Sequence, residues 1–173
     1  MHYGEIKNCD IANGNGVRVT LFVSGCTNRC EGCFQPQTWD FNYGNPFTKE
    51  TEDSIIALLA PAYIEGLTLL GGEPFEPANQ KALLPFVKRV KEIYPQKTVW
   101  AFSGFTLEEL SNPNHRSHTE DTEALLSLVD VLVDGRFEQN LKNLNLRFRG
   151  SSNQRVIDMN RTRKNKKITL WCE

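Results

Sequence analysis

Nowhere in the 173 residues does an apolar run approach the roughly 18–20 residues that a bilayer span requires, so no membrane partner is expected. An excess of one charge is missing too. Lys and Arg number 20 against 21 Asp and Glu, a net −1, which gives the whole molecule no electrostatic bias toward nucleic acid. The opening stretch Met1–Glu5 lacks the basic-then-apolar layout of a secretory leader, so a cytoplasmic location is the default expectation. There is no internal repeat and no legible domain boundary. The length suits a single domain, 1–173, with a basic segment, 159–173, expected to fray. The apolar and charged fractions, 39% and 24%, are those of an ordinary globular protein.

What is present is an alternation of strands and helices. Val17–Val23 is β-branched and reads as a strand running into Ser24 and Gly25. Thr48 is placed to cap a helix with Glu50, Glu52 and Asp53 in its first turns, where carboxylates suit the helix dipole. Ile55, Ile56, Leu58 and Leu59 give that helix an apolar side, and Pro61 ends it. Gly66–Leu70 is a short strand leading into Gly71-Gly72-Glu73-Pro74. Leu83, Val87, Val90 and Tyr94 recur at helical spacing from Asn79 to about Tyr94, and Pro85 inside that stretch implies a late start or a kink. Thr98–Phe102 is a third strand, and Thr106 to Glu109 fits a capping box. A helix is expected from about Glu120 to Leu128, before a fourth strand at Val131–Val133. Asn112–Asp121 reads as a polar surface loop, and Arg155–Ile157 and Lys167–Trp171 are candidate short strands. Such recurrence argues for parallel β/α units with right-handed crossovers. The expected fold is α/β, an open partial barrel of roughly four to six such units, too few to close. Working sites of these sheets lie beyond the carboxyl ends of the strands, and the loops after Val23, Leu70 and Phe102 all leave from that edge.

Five cysteines in a reducing compartment do not make a disulfide framework, and three of them, Cys26, Cys30 and Cys33, fall on one short loop. Cubane iron–sulfur clusters take four thiolates, so three would leave one iron open to a substrate or cofactor. Gly25 and Gly32 permit tight loop geometry there. Structural zinc is the competing reading. Its fourth ligand would have to be Cys9, Cys172, His2, His115 or His118, none at a typical spacing. Unligated or redox-active thiols are a third reading. Taken alone, Gly71–Pro74 is a tight strand-to-helix connection. Beside the cysteine loop, its glycines would let backbone approach a ligand and Glu73 would complement an ammonium group. Ser103 and Gly104 are expected to line the same site.

The C-x3-C-x2-C loop after the first strand, taken with Gly71–Pro74, resembles the radical S-adenosylmethionine superfamily. That resemblance implies a 4Fe–4S cluster on Cys26, Cys30 and Cys33, with S-adenosylmethionine on the remaining iron. One-electron cleavage would then give methionine and a 5′-deoxyadenosyl radical. It further implies cofactor contacts from Gly32, Cys33, Phe34, Gly71, Gly72 and Glu73, with Ser103 beside them. The residue before the third cysteine, commonly aromatic in the superfamily, is Gly32 here, and the aromatic Phe34 follows. Within the superfamily, Asn13–Arg18, Leu21–Cys26, Thr38–Trp39, Val131–Gly135 and Phe148–Val156 resemble the activases of anaerobic ribonucleoside-triphosphate reductase. The likeness extends from about Gly4 to Ile157. It implies a protein substrate, the large subunit of that reductase, which would receive a glycyl radical. It also implies a flavodoxin or ferredoxin-type electron donor, and no catalytic residue beyond the cluster ligands.

Other readings stand beside this one. The chain could activate another glycyl-radical enzyme, such as pyruvate formate-lyase, although Arg149–Gln154 argues against it. It could be a short radical enzyme acting on a small molecule, or a zinc-stabilised binding module without catalysis. Phe148–Val156 reads either as a polar turn that satisfies its own backbone or as a cofactor or docking element. The basic run Arg161–Lys167 reads as a solvated face or tail, or as a contact for an acidic partner.

Overall fold

The computed structural model describes residues 1–171, so Cys172 lies outside the described residues. In chain order the strands are β1 (His2–Asp10), β2 (Val17–Val23), β3 (Asn45–Pro46), β4 (Ile64–Gly71), β5 (Thr98–Phe102), β6 (Val131–Asp134) and β7 (Arg155–Asp158). The helices are α1 (Lys49–Leu59), α2 (Pro77–Ile93), α3 (Leu107–Leu110), α4 (Thr122–Leu128) and α5 (Met159–Asn165). All strands join one seven-stranded sheet in the order β3-β1-β2-β4-β5-β6-β7. β2, β4, β5 and β6 are parallel. β1 pairs antiparallel with β2 and β3, and β7 pairs antiparallel with β6. The sheet is mostly parallel at its centre and is not closed.

This differs from the expected run of β/α units. The parallel part stops at four strands, and the sheet grows outward by antiparallel additions on both flanks. β1 has no signature in the sequence because most of its side chains are exposed or half-exposed. Its place is fixed by backbone pairing with β2. Lys167–Trp171 forms no strand and contributes one isolated bridge, Leu170 to Ile157. The basic segment expected to fray contains α5 instead. Asp158 caps it by accepting from Arg161 N, Met159 is buried, and Arg163 donates to the carbonyls of Leu126 and Val129. Pro85 sits inside α2 on its exposed side, where the carbonyl of exposed Lys81 loses its helical donor to water. The capping boxes at Thr48 and Thr106 are both formed.

Two-residue alternation sorts the strands' side chains onto two faces. Val19, Leu21, Val23, Leu67, Leu69 and Val99 are buried beneath α1, α2 and α4, against Ile55, Leu83, Val87 and Leu125. The opposite face carries Arg18, Phe22, Thr68, Leu70, Trp100 and Phe102. At its lower end Arg18 is almost wholly buried and all its donors are used. Nε reaches Thr68 Oγ1 (2.7 Å), Nη1 reaches Asn15 O (3.1 Å) and Thr98 Oγ1 (3.0 Å), and Nη2 reaches Leu67 O (2.8 Å) and Thr98 O (2.9 Å). Burial pulls this guanidinium down to about 10, although Glu65, Asp130 and Asp10 act the other way. It lies 5.5 Å from the Trp100 ring, which packs in turn on Phe148 and Trp171.

Candidate functional site

The four parallel strands end at one edge, and the loop after each lines a single cavity of about 540 Å³. β2 hands over to the cysteine loop, β4 to Gly71–Glu73, β5 to Ser103–Gly104 and β6 to Gly135–Phe137. Phe22, Leu70, Phe102 and Val133 form an apolar wall. Cys26, Cys30 and Cys33 all lie in the lining, unpaired and half-buried, whereas Cys9 is exposed on β1. Of the other residues expected at the site, Phe34, Gly71, Gly72, Glu73 and Ser103 also line it. Gly32 does not. It faces the side chain of Gln139, and its φ of +72° is what demands glycine there.

Backbone hydrogen bonds join the cysteine loop to the glycine-rich turn. Gly72 N donates to Val23 O (2.7 Å), Glu73 N to Gly25 O (2.9 Å) and Gly25 N to Thr38 O (2.8 Å). A Cβ on Gly72 would stand 2.6 Å from Gly25 O and 2.9 Å from Thr38 O, so only glycine allows this approach.

Glu73 is buried and binds inward. Its Oε1 accepts from Phe75 N (2.9 Å) and Ser103 Oγ (2.9 Å), and its Oε2 from Gly104 N (2.7 Å) and Asn28 Nδ2 (3.1 Å). A carboxylate has about four acceptor positions, and all are taken. The ammonium contact expected of Glu73 therefore competes with donors already in place. The side chain instead ties the cysteine loop to the loop after β5. Burial pushes its carboxyl up to about 7 despite these bonds.

Three further residues at the site escaped the sequence reading. Glu76, nearly buried, accepts from Thr27 N (2.7 Å) and Thr27 Oγ1 (2.6 Å). Asn79 donates to Ser24 O (3.0 Å) and Glu73 O (2.9 Å) from the first turn of α2. Arg116 reaches across from the polar Asn112–Asp121 loop. Its guanidinium donates to Thr27 Oγ1 and to Asn28 Oδ1 (2.8 Å), lies 3.9 Å from Glu76, and stacks 4.6 Å over Phe105. His115 bonds Ser117, and His118 bonds Leu110 O, so these histidines brace that loop rather than the cavity.

The three thiols suit an iron–sulfur cluster. Burial pushes Cys26 up to about 12, and the charge of Glu73 adds to it, against amide donors from Asn28 and Arg29. Burial raises Cys30 as well, against the amide of Phe137. Thiolates so placed need a cation beside them, which cluster iron would be.

Comparison with known proteins agrees with this geometry. The 4Fe-4S single cluster domain matches residues 12–157. The anaerobic ribonucleoside-triphosphate reductase-activating protein of Vibrio cholerae is 44% identical over 156 residues, spanning 89% of this chain and 96% of its own length. The protein of the same name from Pasteurella multocida is 45% identical over 156 residues, spanning 89% and 95%. That from Escherichia coli is 42% identical over 158 residues, spanning 90% and 97%. Identity at this level over nearly the whole of each chain, with the matched domain model, places this chain in the family of anaerobic ribonucleoside-triphosphate reductase-activating proteins.

Proposed function

We propose that this chain generates a glycyl radical on an anaerobic ribonucleoside-triphosphate reductase, using S-adenosylmethionine and a 4Fe–4S cluster held by Cys26, Cys30 and Cys33. The observation that carries the reading is the gathering of three unpaired cysteines and the Gly71–Glu73 turn on one cavity at the ends of the parallel strands. Cys26, Cys30 and Cys33 would hold the cluster, whose chemistry there would be one-electron reduction of the sulfonium, yielding methionine and the 5′-deoxyadenosyl radical that would take a hydrogen atom from a glycine Cα.

The chain's own residues position and shield. Gly71 and Gly72 let backbone approach the cofactor, with Ser103 beside them and Phe34 flanking the third cysteine. Phe22, Leu70, Phe102 and Val133 keep the inner wall dry, which protects a reactive species from water. Phe34 and Leu144 line the cavity yet are 65% and 86% exposed, so its rim offers apolar surface to a protein loop. On this reading the unclosed, mostly parallel sheet is a partial barrel of the radical S-adenosylmethionine type within a single domain, 1–173, and its open side would admit that loop. A flavodoxin or ferredoxin would supply the electron in the cytoplasm.

The test mixes anaerobically reconstituted protein, reductant, S-adenosylmethionine and an anaerobic ribonucleotide reductase, and looks for a glycyl radical by electron paramagnetic resonance. Exchange of Cys26, Cys30 or Cys33 for Ala is expected to abolish the signal, and exchange of Cys9 to leave it. Cofactor cleavage without a radical on the reductase would retain the cluster chemistry and defeat the activase.

A further inference from the structure

Among the described residues, three buried side-chain polar atoms lack a hydrogen-bond partner: Trp39 Nε1, Asn79 Oδ1 and Arg149 Nε. The first and last are donors, and both residues line the cavity. Native proteins leave few such groups, and two donors on one hollow call for a ligand that brings acceptors.

Arg149 defines that ligand more closely. It follows Phe148, whose φ of +60° turns the chain in the loop between β6 and β7. Its Nη1 donates to Gln154 O (2.9 Å). The Gln154 side chain accepts from Gly150 N (2.9 Å) and Ser151 N (3.1 Å) and donates to Gly135 O (2.9 Å). This clasp is the self-satisfied polar turn that the sequence suggested, but it engages only one corner of the guanidinium. The other edge, Nε and Nη2, has no hydrogen-bond or ion-pair partner among the described residues. That edge is the one a carboxylate meets side-on with two parallel bonds. The location fits as well. The neighbouring Gly150 packs so closely that a Cβ on it would lie 3.1 Å from the Phe137 ring and 3.4 Å from the ring of Phe34, the residue after Cys33. Among the described residues Arg149 is also the only cationic one lining the cavity, and Glu73, the only anionic one, has its acceptors filled.

We propose that Arg149 binds the carboxylate of the methionyl half of S-adenosylmethionine through its Nε–Nη2 edge. The inference rests on the cavity being the S-adenosylmethionine site. Arg149–Gln154 is then a built binding element: Gln154 holds the loop and one guanidinium corner, and the free corner takes the only anionic group that this cofactor carries.

The experiment measures equilibrium binding to the anaerobically reconstituted protein with its cluster oxidised, so that no turnover occurs. Two probes are compared, S-adenosylmethionine and its decarboxylated analogue. Arg149→Met is expected to weaken S-adenosylmethionine by about ten- to a hundred-fold, the range for a hydrogen-bonded charged partner. The decarboxylated analogue should be held within about two-fold of the parent protein, which also shows that the cavity still forms. Arg149→Lys, which keeps the charge without the fork, should recover part of the loss. Unchanged S-adenosylmethionine binding by Arg149→Met would overturn the assignment. So would equal weakening of both probes, which would mark Arg149 as a shaper of the loop. If the parent protein binds neither probe, the cofactor reading of the cavity fails, and the assignment with it.

Discussion

Removing the Arg116 guanidinium should loosen the cluster without unfolding the protein. Arg116 belongs to a surface loop, yet it donates to Thr27 and Asn28, the two residues after Cys26, and stacks on Phe105. Bonds from a charged donor contribute at most about 1.5–3 kcal/mol each, and the ring contact about 0.5–1 kcal/mol. Because the side chain is 43% exposed, solvent screening reduces the sum to about 2 kcal/mol. A change of that size shifts an opening equilibrium by roughly thirty-fold. The assay follows iron release from the anaerobically reconstituted protein to a strong chelator by loss of cluster absorbance. Arg116→Ala should release iron roughly thirty-fold faster, with a fall in apoprotein Tm of no more than about 8 °C. Arg116→Lys should lie between the two, since lysine supplies charge without the planar fork. Arg89→Ala serves as the control, because Arg89 pairs with Glu52 and Asp53 away from the cavity. Equal release rates for Arg116→Ala and the parent protein would refute the reasoning, as would an equal effect of Arg89→Ala.

Other perturbations follow from the same contacts. Gly72→Ala should part the glycine-rich turn from the cysteine loop, because its Cβ meets the carbonyls of Gly25 and Thr38. The expected result is poor cluster uptake during reconstitution, measured as iron per chain. Glu73→Gln turns one acceptor oxygen into a donor facing donors. It should lower the apoprotein's denaturation midpoint by the equivalent of about 1–3 kcal/mol for an orphaned donor, read by chemical unfolding. Asp130 governs acid sensitivity. Burial would raise its carboxyl, but Lys91 (2.6 Å), Asn160 and the Val99 amide together hold it below the ordinary carboxylate value. Its stabilisation is therefore present above that ordinary value and lost as pH falls through the lower native one. Asp130→Asn should cost about 1–3 kcal/mol at pH 7 and show a shallower loss of stability below about pH 4, both read from denaturant curves.

Much of this molecule was legible in the sequence because its signals are local. The parallel strands were visible as short β-branched runs, α1 by its cap, and the site by cysteine spacing and a glycine pair. What stayed hidden depends on pairing at long range. β1 carries polar side chains and is held through its backbone. Thr122 begins α4 two residues later than expected: Thr119 N donates to the Thr122 hydroxyl, and the hydroxyls of both threonines donate to Gln80 Oε1, which holds 119–121 in a turn ahead of the helix. Arg116 looked like one charge in a polar loop, since its partners at Thr27 and Asn28 lie nearly ninety residues away. Glu73 lines the cavity as its place in the glycine-rich turn suggests, but its burial and four protein donors follow from where three separate strands end, which no single stretch of sequence records.

The buried Arg18 has a consequence for kinetic order. With Trp100 it lines a smaller hollow at the opposite end of the strands, and neither residue belongs to the lining of the main cavity. With its donors spent on Thr68, Thr98, Leu67 and Asn15, it forms a floor that no ligand crosses. Traffic is therefore one-ended. On the proposed function, spent methionine and deoxyadenosine would leave by the same rim that is proposed to receive the reductase, so fresh cofactor would enter only once the partner has lifted.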